Sequence, residues 1–538
     1  MRILSITLSL ILTLALGVSV AVASPPEGDD VLVYSWSSNV GGLNPHLYSP
    51  SQMFAQAMVY EPLVRYQADG SVKPCLAESW TTSKDGKEYT FKLRKGVVFS
   101  DGTPFDAKAV KMNLDAVLKN HSRHGWLELI NQMHAVNEAG GKAVQIIDPH
   151  TVKLTFKESY YPILQELALV RPIRFLSPSA FPDGGDSSTG IKAPIGTGPW
   201  KVEKMLKGEY DVFERNDKYW GAKPKMKKLV VKVIPDSSAR AVAYDSGEID
   251  LILGAGGHGA GQLGLDVFQR YQSMDNVVTE ISAPLATRAL AINSNKFPTN
   301  DLNVRKAILH AVNKAALVKH IFLDIEKQAE TLFSQDKPYC NIGLKPYGFD
   351  TTKTAALLDK AGWKKKKGAL YRTKDGKELA IDLCFVGNDA LQKSVAEVVQ
   401  GDLRKVGIKV SLVGEETDSF YSRQKSGEFG LIFSDTWGAP YDPHSFCSSM
   451  RIPSHADYQA QLGLDMKAQI DKTIGEVLET VDETERQAKY KYILETLHEQ
   501  AVYLPLTYVT AIMVHSPELK NVKFGNTKHE IPFEDIER

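Results

Sequence analysis

Hydrophobic positions follow two alternating periods along most of this 538-residue chain. In some segments every second residue is apolar, as in a half-buried strand, and in others apolar residues return every three or four positions, as on one face of a helix. Alternation of the two kinds of segment is typical of α/β proteins. The chain is also several times longer than an ordinary domain, so we expect more than one hydrophobic core.

One of the predicted elements, near the C-terminus, needs a partner strand from elsewhere in the chain. Strands are predicted over 31–36, 87–94, 151–156, 228–234, 249–253, 379–386 and 409–413. Helices are predicted over 106–118, 303–321, 352–361, 390–406, 464–478 and 482–500. One more apolar strand, over 503–514, comes near the C-terminus and needs a partner sheet. We expect this partner in the first half of the chain, which would make the first domain discontinuous.

The charge balance excludes one broad class of function. The 64 Lys and Arg residues match the 64 Asp and Glu residues, and the pI is near 7.2. Binding to nucleic acid depends on phosphate electrostatics and a basic surface, so a nucleic-acid partner is not expected. The basic run 364–367 lies beside a turn and is interpreted as a solvated loop.

An apolar run at the N-terminus predicts export. Residues 3–23 are almost all apolar and end in small residues, Ala21 and Ala23. This pattern predicts a secretory signal peptide over 1–23, cleaved after Ala23, and hence an extracytoplasmic, periplasmic protein. An uncleaved membrane anchor is the alternative, because the run approaches the length that spans a bilayer.

Neither the cysteines nor a glycine-rich motif identifies a disulfide pattern or a bound cofactor. Cys75, Cys340, Cys384 and Cys447 lie far apart without CxxC spacing, so their pairing or free state stays open. The segment 254–259 (GAGGHG) matches the G-x-G-x-x-G pattern of dinucleotide-binding folds. A nicotinamide cofactor would be unusual in an exported protein, so a flexible glycine loop is the favoured interpretation.

Several motifs resemble a known family. The stretches are 76–80 (LAESW), 195–200 (IGTGPW), 239–251 (ARAVAYDSGEIDL) and 304–315 (VRKAILHAVNKA). Together they resemble the peptide/nickel class of extracytoplasmic solute-binding proteins over nearly the whole mature chain. The resemblance implies a two-lobed clamp of α/β architecture with a discontinuous lobe I. Lobe I would comprise 24–280, with an inserted subdomain, and 510–538, and lobe II would comprise 281–509.

Longer stretches narrow the resemblance to nickel-binding members of this class. These are 44–61, 123–128 (RHGWLE), 168–175 (ALVRPIRF) and 437–457. The function they imply is capture of nickel as a small-molecule chelate and its delivery to the permease subunits of an ABC importer by hinge closure. The protein is expected to act as a monomer and to catalyse no reaction.

The resemblance also implies a set of site residues. Those expected to hold the chelate are Tyr48, Met53, Arg123, Trp126, Arg171, Trp437 and Tyr441. His455 is the expected metal ligand, since imidazole suits late divalent metals. One imidazole cannot fill the roughly four to six positions around nickel, so a chelator such as histidine or a polycarboxylate is expected to supply the rest. An arginine fork can grip the carboxylates of such a chelator.

Ordinary interpretations exist for the same residues. Without the resemblance, the aromatic residues and Met53 would pass as core packing, and the arginines and His455 as surface groups. His529 stands where the family pattern has a threonine close to the metal. It is either a second nickel ligand or a surface residue. His121 and His124 share one helical turn, but no third or fourth ligand is evident, so a structural zinc site is not expected.

Two other functions are alternatives to nickel binding. A dipeptide- or oligopeptide-binding protein of the same fold would hold the amino terminus of its ligand with an acid, and Asp442 lies where one could sit. A metallohydrolase would need a base beside an open metal position. The sequence contains no H-E-x-x-H motif, which disfavours that class.

Overall fold

The computed structural model describes residues 25–48, 52–255 and 263–538. It is a mixed α/β structure, as the alternating periods predict. The predicted signal peptide and most of the glycine motif 254–259 lie outside the described residues. Within them, no helix is both long enough and apolar enough to cross a bilayer.

The first half of the chain builds two four-stranded sheets. One has the strand order Val31–Trp36, Lys228–Val233, Tyr210–Arg215, Trp200–Leu206, with its first pair parallel. The other is antiparallel, in the order Ala77–Thr82, Glu88–Leu93, Thr151–Thr155, Val144–Asp148. A small hairpin pairs Val64–Tyr66 with Val72–Pro74. The helices here are Met53–Val59, Ala107–Lys119, Glu128–Glu138, Ile163–Leu167, Ser237–Asp245 and Leu265–Gln272.

The second half is organised around one six-stranded sheet. Its strand order is Lys327–Gln328, Tyr503–Val509, Ala286–Ile292, Leu431–Phe433, Ala380–Val386, Lys409–Glu415. A two-stranded ribbon pairs Thr373–Lys374 with Lys377–Glu378. The helices are Leu302–Ala311, Lys314–His320, Thr351–Lys360, Ala390–Lys405, Thr417–Ser426, His444–Ser449, Ala456–Gln461, Lys467–Glu479 and Glu483–Glu499.

The prediction of a single helix over 303–321 is wrong. The structure has two helices there, Leu302–Ala311 and Lys314–His320. Val312 adopts extended backbone angles, and the side chain of Asn313 caps the second helix by accepting from the amide of Ala316 at 3.0 Å. Hydrophobic spacing continues across the break, so the periodicity alone does not reveal the cap.

The strand predicted over 503–514 is also two strands, and they belong to different sheets. Tyr503–Val509 joins the six-stranded sheet, whereas Ala511–His515 lies between Leu251–Ala255 and Val278–Ile281. The expected partner in the first half therefore exists, but only for the second part of the segment. Thr510 marks the change of sheet.

The chain also passes between the two halves at a second place, beside Thr510. The chain leaves Val278–Ile281 and enters Ala286–Ile292 of the six-stranded sheet. Ser282 donates from its amide to the carbonyl of Ala511 at 2.9 Å, and the amide of Leu285 donates to the carbonyl of Val509 at 2.9 Å. The two halves are thus joined by two adjacent, hydrogen-bonded strands, which is a common arrangement for a hinge.

The buried cores follow this division. One core contains apolar residues from 32–60, 176–231 and 513–536, so the end of the chain packs with its beginning. Another core continues from 63–175 into 290–506. Side chains of the inserted antiparallel sheet region therefore pack directly against the second half of the molecule.

A buried ion pair stabilises the six-stranded sheet. Arg288 contacts Glu326 at 3.1 Å, and both side chains are less than a tenth exposed. Arg288→Leu would leave the Glu326 carboxylate buried without its guanidinium partner. We expect the free energy of unfolding to fall by about 3–5 kcal/mol, measured by chemical denaturation.

The matched control is Arg270→Leu, because Arg270 pairs with Asp245 at 2.9 Å while about half exposed. Solvent-exposed pairs are worth little, so its loss is expected to cost no more than about 1 kcal/mol. Equal effects of the two substitutions would contradict this account of the sheet.

Candidate functional site

The expected site residues come from separate parts of the chain, and most of them lie in loops. Tyr48 lies in the loop before helix Met53–Val59, and Met53 is the half-buried first residue of that helix. Trp126 lies two residues before helix Glu128–Glu138, next to its N-cap residue Leu127. Arg171 follows helix Ile163–Leu167. These loops are contributed by the first half of the chain.

The second half contributes two aromatic residues and one histidine. Trp437 and Tyr441 lie in the loop between strand Leu431–Phe433 and helix His444–Ser449. His455 is the N-cap residue of helix Ala456–Gln461. His529 comes from the C-terminal segment, after the strand Ala511–His515.

Tyr48 is the hydrogen-bonding centre of the first half of the site. Its hydroxyl accepts from Trp126 Nε1 at 2.9 Å and lies 2.5 Å from His124 Nδ1. Burial and the charge of Arg123 lower the pKa of His124 to about 4, so the ring is neutral near pH 7 and its tautomer sets which of the two groups donates. Arg171 Nη1 donates to the Tyr48 carbonyl at 2.6 Å. These bonds fix Tyr48 and Trp126 together.

His124 is a site residue that the sequence reasoning missed. In the sequence it stands out only as half of a possible zinc pair with His121, because the two share a turn. In the structure the two rings have different partners, since His121 stacks on His134 with ring centroids 3.4 Å apart. The signal that could have found His124 is its position between Arg123 and Trp126 in the motif RHGWLE.

Three aromatic rings bring the two halves of the site together. Trp126 lies 6.0 Å from Trp437 and 6.0 Å from Tyr441, measured between ring centroids. Trp437 and Tyr441 are themselves 6.0 Å apart in an edge-on arrangement. These separations fall within the range of favourable aromatic pairs. We call these three residues the aromatic triad.

Both candidate metal ligands pack on the triad. The His455 ring is 5.9 Å from Trp437, and the His529 ring is 6.2 Å from Tyr441. Burial lowers the pKa of His455, while the Asp457 carboxylate acts in the opposite direction. A lowered pKa keeps an imidazole neutral at pH 7, the form that can bind a metal.

The two arginines differ in how deeply they enter the site. Arg171 is half-buried, its guanidinium lies 5.4 Å from the Tyr48 ring centroid, and burial lowers its pKa. Arg123 is exposed on the short turn that carries His124. An arginine keeps its charge at neutral pH, so the site offers fixed positive charge for an anionic group.

The described residues contain no group of three or more His, Cys, Asp or Glu side chains placed to hold a metal ion. The imidazoles of His455 and His529 are donors of the kind that nickel prefers. The four cysteines are buried free thiols rather than disulfides, and burial raises the pKa of each.

Comparison with known proteins gives consistent matches over nearly the whole chain. The model for bacterial extracellular solute-binding proteins, family 5 Middle, matches residues 71–458. The nickel-binding periplasmic protein of Escherichia coli (strain K12) is 53% identical over 507 residues, which cover 94% of each chain.

Two solved structures share the fold. One is NikA from Brucella suis in complex with Fe(III)-EDTA, with a TM-score of 0.90 and 57% identity, covering 94% of this chain and 99% of that one. The other is NikZ from Campylobacter jejuni in complex with Ni(L-His), with a TM-score of 0.74 and 27% identity, covering 95% and 100% of the two chains. Both the family model and these relatives extend across the two halves that meet at the aromatic triad. This chain therefore belongs to family 5 of the bacterial extracellular solute-binding proteins.

Proposed function

We propose that this protein captures nickel as a small-molecule chelate outside the cytoplasm and delivers it to an ABC importer. The observation that carries the proposal is the aromatic triad with its surroundings. Trp126 meets Trp437 and Tyr441, and each of the latter two has a candidate nickel-binding imidazole as its ring neighbour. The identity to a nickel-binding periplasmic relative supports the same function.

The charge of the site favours a chelate over a bare ion. The arginines contribute positive charge, while the imidazoles are donors without charge when deprotonated. A bare dication would be repelled by the arginines, whereas a chelator with carboxylates would be attracted to them. Two imidazoles would also leave positions open in a nickel sphere of about four to six ligands. Free histidine or a polycarboxylate meets both requirements.

Relatives support chelates as the ligand class. One structural relative is in complex with Fe(III)-EDTA and another with Ni(L-His). For this chain, Met53 would offer a soft contact through its sulfur atom at the rim of the site. Arg123 would reach the carboxylates from the exposed side.

The mechanism we propose is hinge closure without any covalent step. Lobe I would comprise 24–280, with its inserted subdomain, and 510–538, and lobe II would comprise 281–509. The two adjacent crossings at 282–285 and Thr510 lie at these boundaries. A ligand that touches rings from both lobes stabilises the closed form, and permeases of the importer would then recognise that form.

The same proposal includes the cellular location. Residues 1–23 would direct export and be removed, and the mature monomer would act in the periplasm. The family to which this chain belongs consists of extracellular solute-binding proteins, which supports this location.

The first test is the role of His455. His455→Ala should weaken binding of nickel with L-histidine by at least about tenfold, because a ligand to the metal is lost. Isothermal titration calorimetry measures the change. The control is His320→Ala, at an exposed histidine that ends helix Lys314–His320. Unchanged binding by the His455 variant would remove its assigned role.

A second test separates the two imidazoles. His529→Thr should weaken binding of nickel alone by about tenfold, and binding of nickel with excess L-histidine by less than about threefold. The reason is that the chelator can replace a donor that His529 supplies. Titrations of the two ligands into the same variant give the comparison. If both affinities are unaffected, His529 is no ligand.

A third test examines the arginine fork. Arg171→Gln should weaken binding of nickel citrate by at least about tenfold, and Arg171→Lys should recover only part of the loss, because lysine keeps the charge but not the two-pronged geometry. Arg215→Gln is the control, since Arg215 pairs with Asp217 in another part of the fold. Full affinity in Arg171→Gln would contradict carboxylate recognition here.

A further inference from the structure

A buried carboxyl group lies where the two halves of the chain meet. Glu166, on helix Ile163–Leu167, is only 1% exposed. Its atom Oε2 accepts from the amide of Leu129 at 2.9 Å. Its atom Oε1 accepts from the hydroxyl of Tyr160 and lies 3.4 Å from the hydroxyl oxygen of Ser445. Leu129 and Tyr160 belong to the first half of the chain, whereas Ser445 belongs to the second.

These contacts attach Glu166 to both sides of the aromatic triad. Leu129 comes three residues after Trp126, in the first turn of the helix that follows it. Ser445 comes four residues after Tyr441, in the first turn of the next helix along the chain. One carboxyl group therefore joins the segment that carries Trp126 to the segment that carries Tyr441.

The second half of the chain covers this carboxyl group closely. Tyr161 donates from its amide to the carbonyl of Leu478 at 3.0 Å, and its hydroxyl lies 2.6 Å from that of Tyr490. Ser445 itself is 2% exposed. Separation of the two halves would remove these contacts and admit water to Glu166.

Burial determines the charge of Glu166. It raises the pKa of the carboxyl group to about 8, although the hydrogen bonds from Tyr160, Leu129 and Ser445 oppose the rise, and the Glu128 carboxylate adds to it. At pH 7 the carboxyl group is therefore mostly protonated. A protonated carboxyl group has one O–H donor, and the hydroxyl oxygen of Ser445 can accept from it.

The other ionisable groups around Glu166 are neutral or have partners of their own. Burial raises the pKa of Tyr441 to about 12, the nearby Glu166 carboxylate adds to this rise, and Arg171 and Arg174 oppose it. Arg174 forms an ion pair with another carboxylate at 2.9 Å. His444 is neutral at pH 7, because burial lowers its pKa to about 3. The residues that the structure describes provide no ion-pair partner for Glu166.

Exposure to water would reverse the protonation state of Glu166. A glutamate in water has a pKa of about 4.3 and is ionised at pH 7. Bringing the two halves together therefore takes up a proton wherever the pH lies between the two pKa values, from about 4.3 to about 8. Within that window, a rise in pH favours separation of the halves and opposes their closure.

We propose that Glu166 is a positioning residue that joins the two halves beside the aromatic triad through an uncharged carboxyl group, and that closure on the ligand takes up a proton there. The proposal rests on the hinge closure of the proposed function and adds a pH dependence to it. Binding of the nickel chelate would tighten as the pH falls, by up to about tenfold per pH unit, which is the limit for one proton.

The test counts protons during binding of nickel with L-histidine. Calorimetric titrations at about pH 6.5, in buffers of different ionisation enthalpy, give the number of protons taken up. Wild-type protein should take up at least about half a proton more than Glu166→Gln, because glutamine resembles the uncharged carboxyl group and cannot titrate. The matched control is Glu128→Gln, at a neighbouring carboxylate that is only half-buried, and its uptake should equal that of wild type.

The pH profile separates this role from a merely structural one. Between about pH 5.5 and about pH 7.5, the affinity of wild-type protein should fall by at least about tenfold relative to that of Glu166→Gln. A residue needed only for packing would change the affinity by the same factor at every pH. An equal factor across this range would therefore overturn the proposal.

Infrared spectroscopy of wild-type protein gives a measurement that needs no substitution. The stretching band of a protonated carboxyl group should be present at about pH 6.5 in protein with nickel and L-histidine, and its absence would overturn the proposal. Failure of nickel and L-histidine to bind wild-type protein would count against the proposed function, and the band is then sought in ligand-free protein with the same criterion. Normal binding without any difference in proton uptake from Glu166→Gln would leave the nickel function intact and overturn the role of Glu166.

Discussion

The site depends on contact between aromatic rings from opposite halves of the chain. Trp126 belongs to the first half, and it meets Trp437 and Tyr441 of the second at 6.0 Å each. Aromatic pairs of this kind contribute about 0.5–1.5 kcal/mol each beyond the burial of their surface. The contacts exist only when the halves are together, so they lower the free energy of this arrangement of the two halves. A ligand seated among the rings would add to that stabilisation and select the closed form.

Hydrogen bonds hold the first half of this contact in place before any ligand arrives. Trp126 donates to the Tyr48 hydroxyl, which is also hydrogen-bonded to the neutral ring of His124, and Arg171 donates to the Tyr48 backbone carbonyl. The Tyr48 hydroxyl, Trp126 Nε1 and His124 Nδ1 are paired by these bonds, so the rings need little rearrangement to receive a ligand. Pre-organisation of this kind lowers the entropic cost of binding. The second half of the contact is carried by a loop whose Asp442 accepts from its own Gly438.

The sequence predicts the element types well and the connections between sheets poorly. Hydrophobic periodicity locates helices such as Ala390–Lys405 and strands such as Ala380–Val386 within about one residue of their ends. Periodicity cannot detect that the apolar run divides at Thr510 into two strands of different sheets, because both parts are buried and equally apolar. Resemblance to a family identifies the site residues, whereas only the fold shows that they lie close together. The sequence does not identify His124 as a site residue, because its partner in the site, Tyr48, is 76 positions away along the chain.

Fixed positive charge determines which ligands the proposed chelate site would prefer. Arg171 and Arg123 supply this charge beside Tyr441, and an arginine keeps it at neutral pH. A chelate rich in carboxylates would be attracted to the proposed site, whereas a bare dication would be repelled from it. Because these charges lie in a partly buried cleft, the site would discriminate by repulsion as well as by attraction.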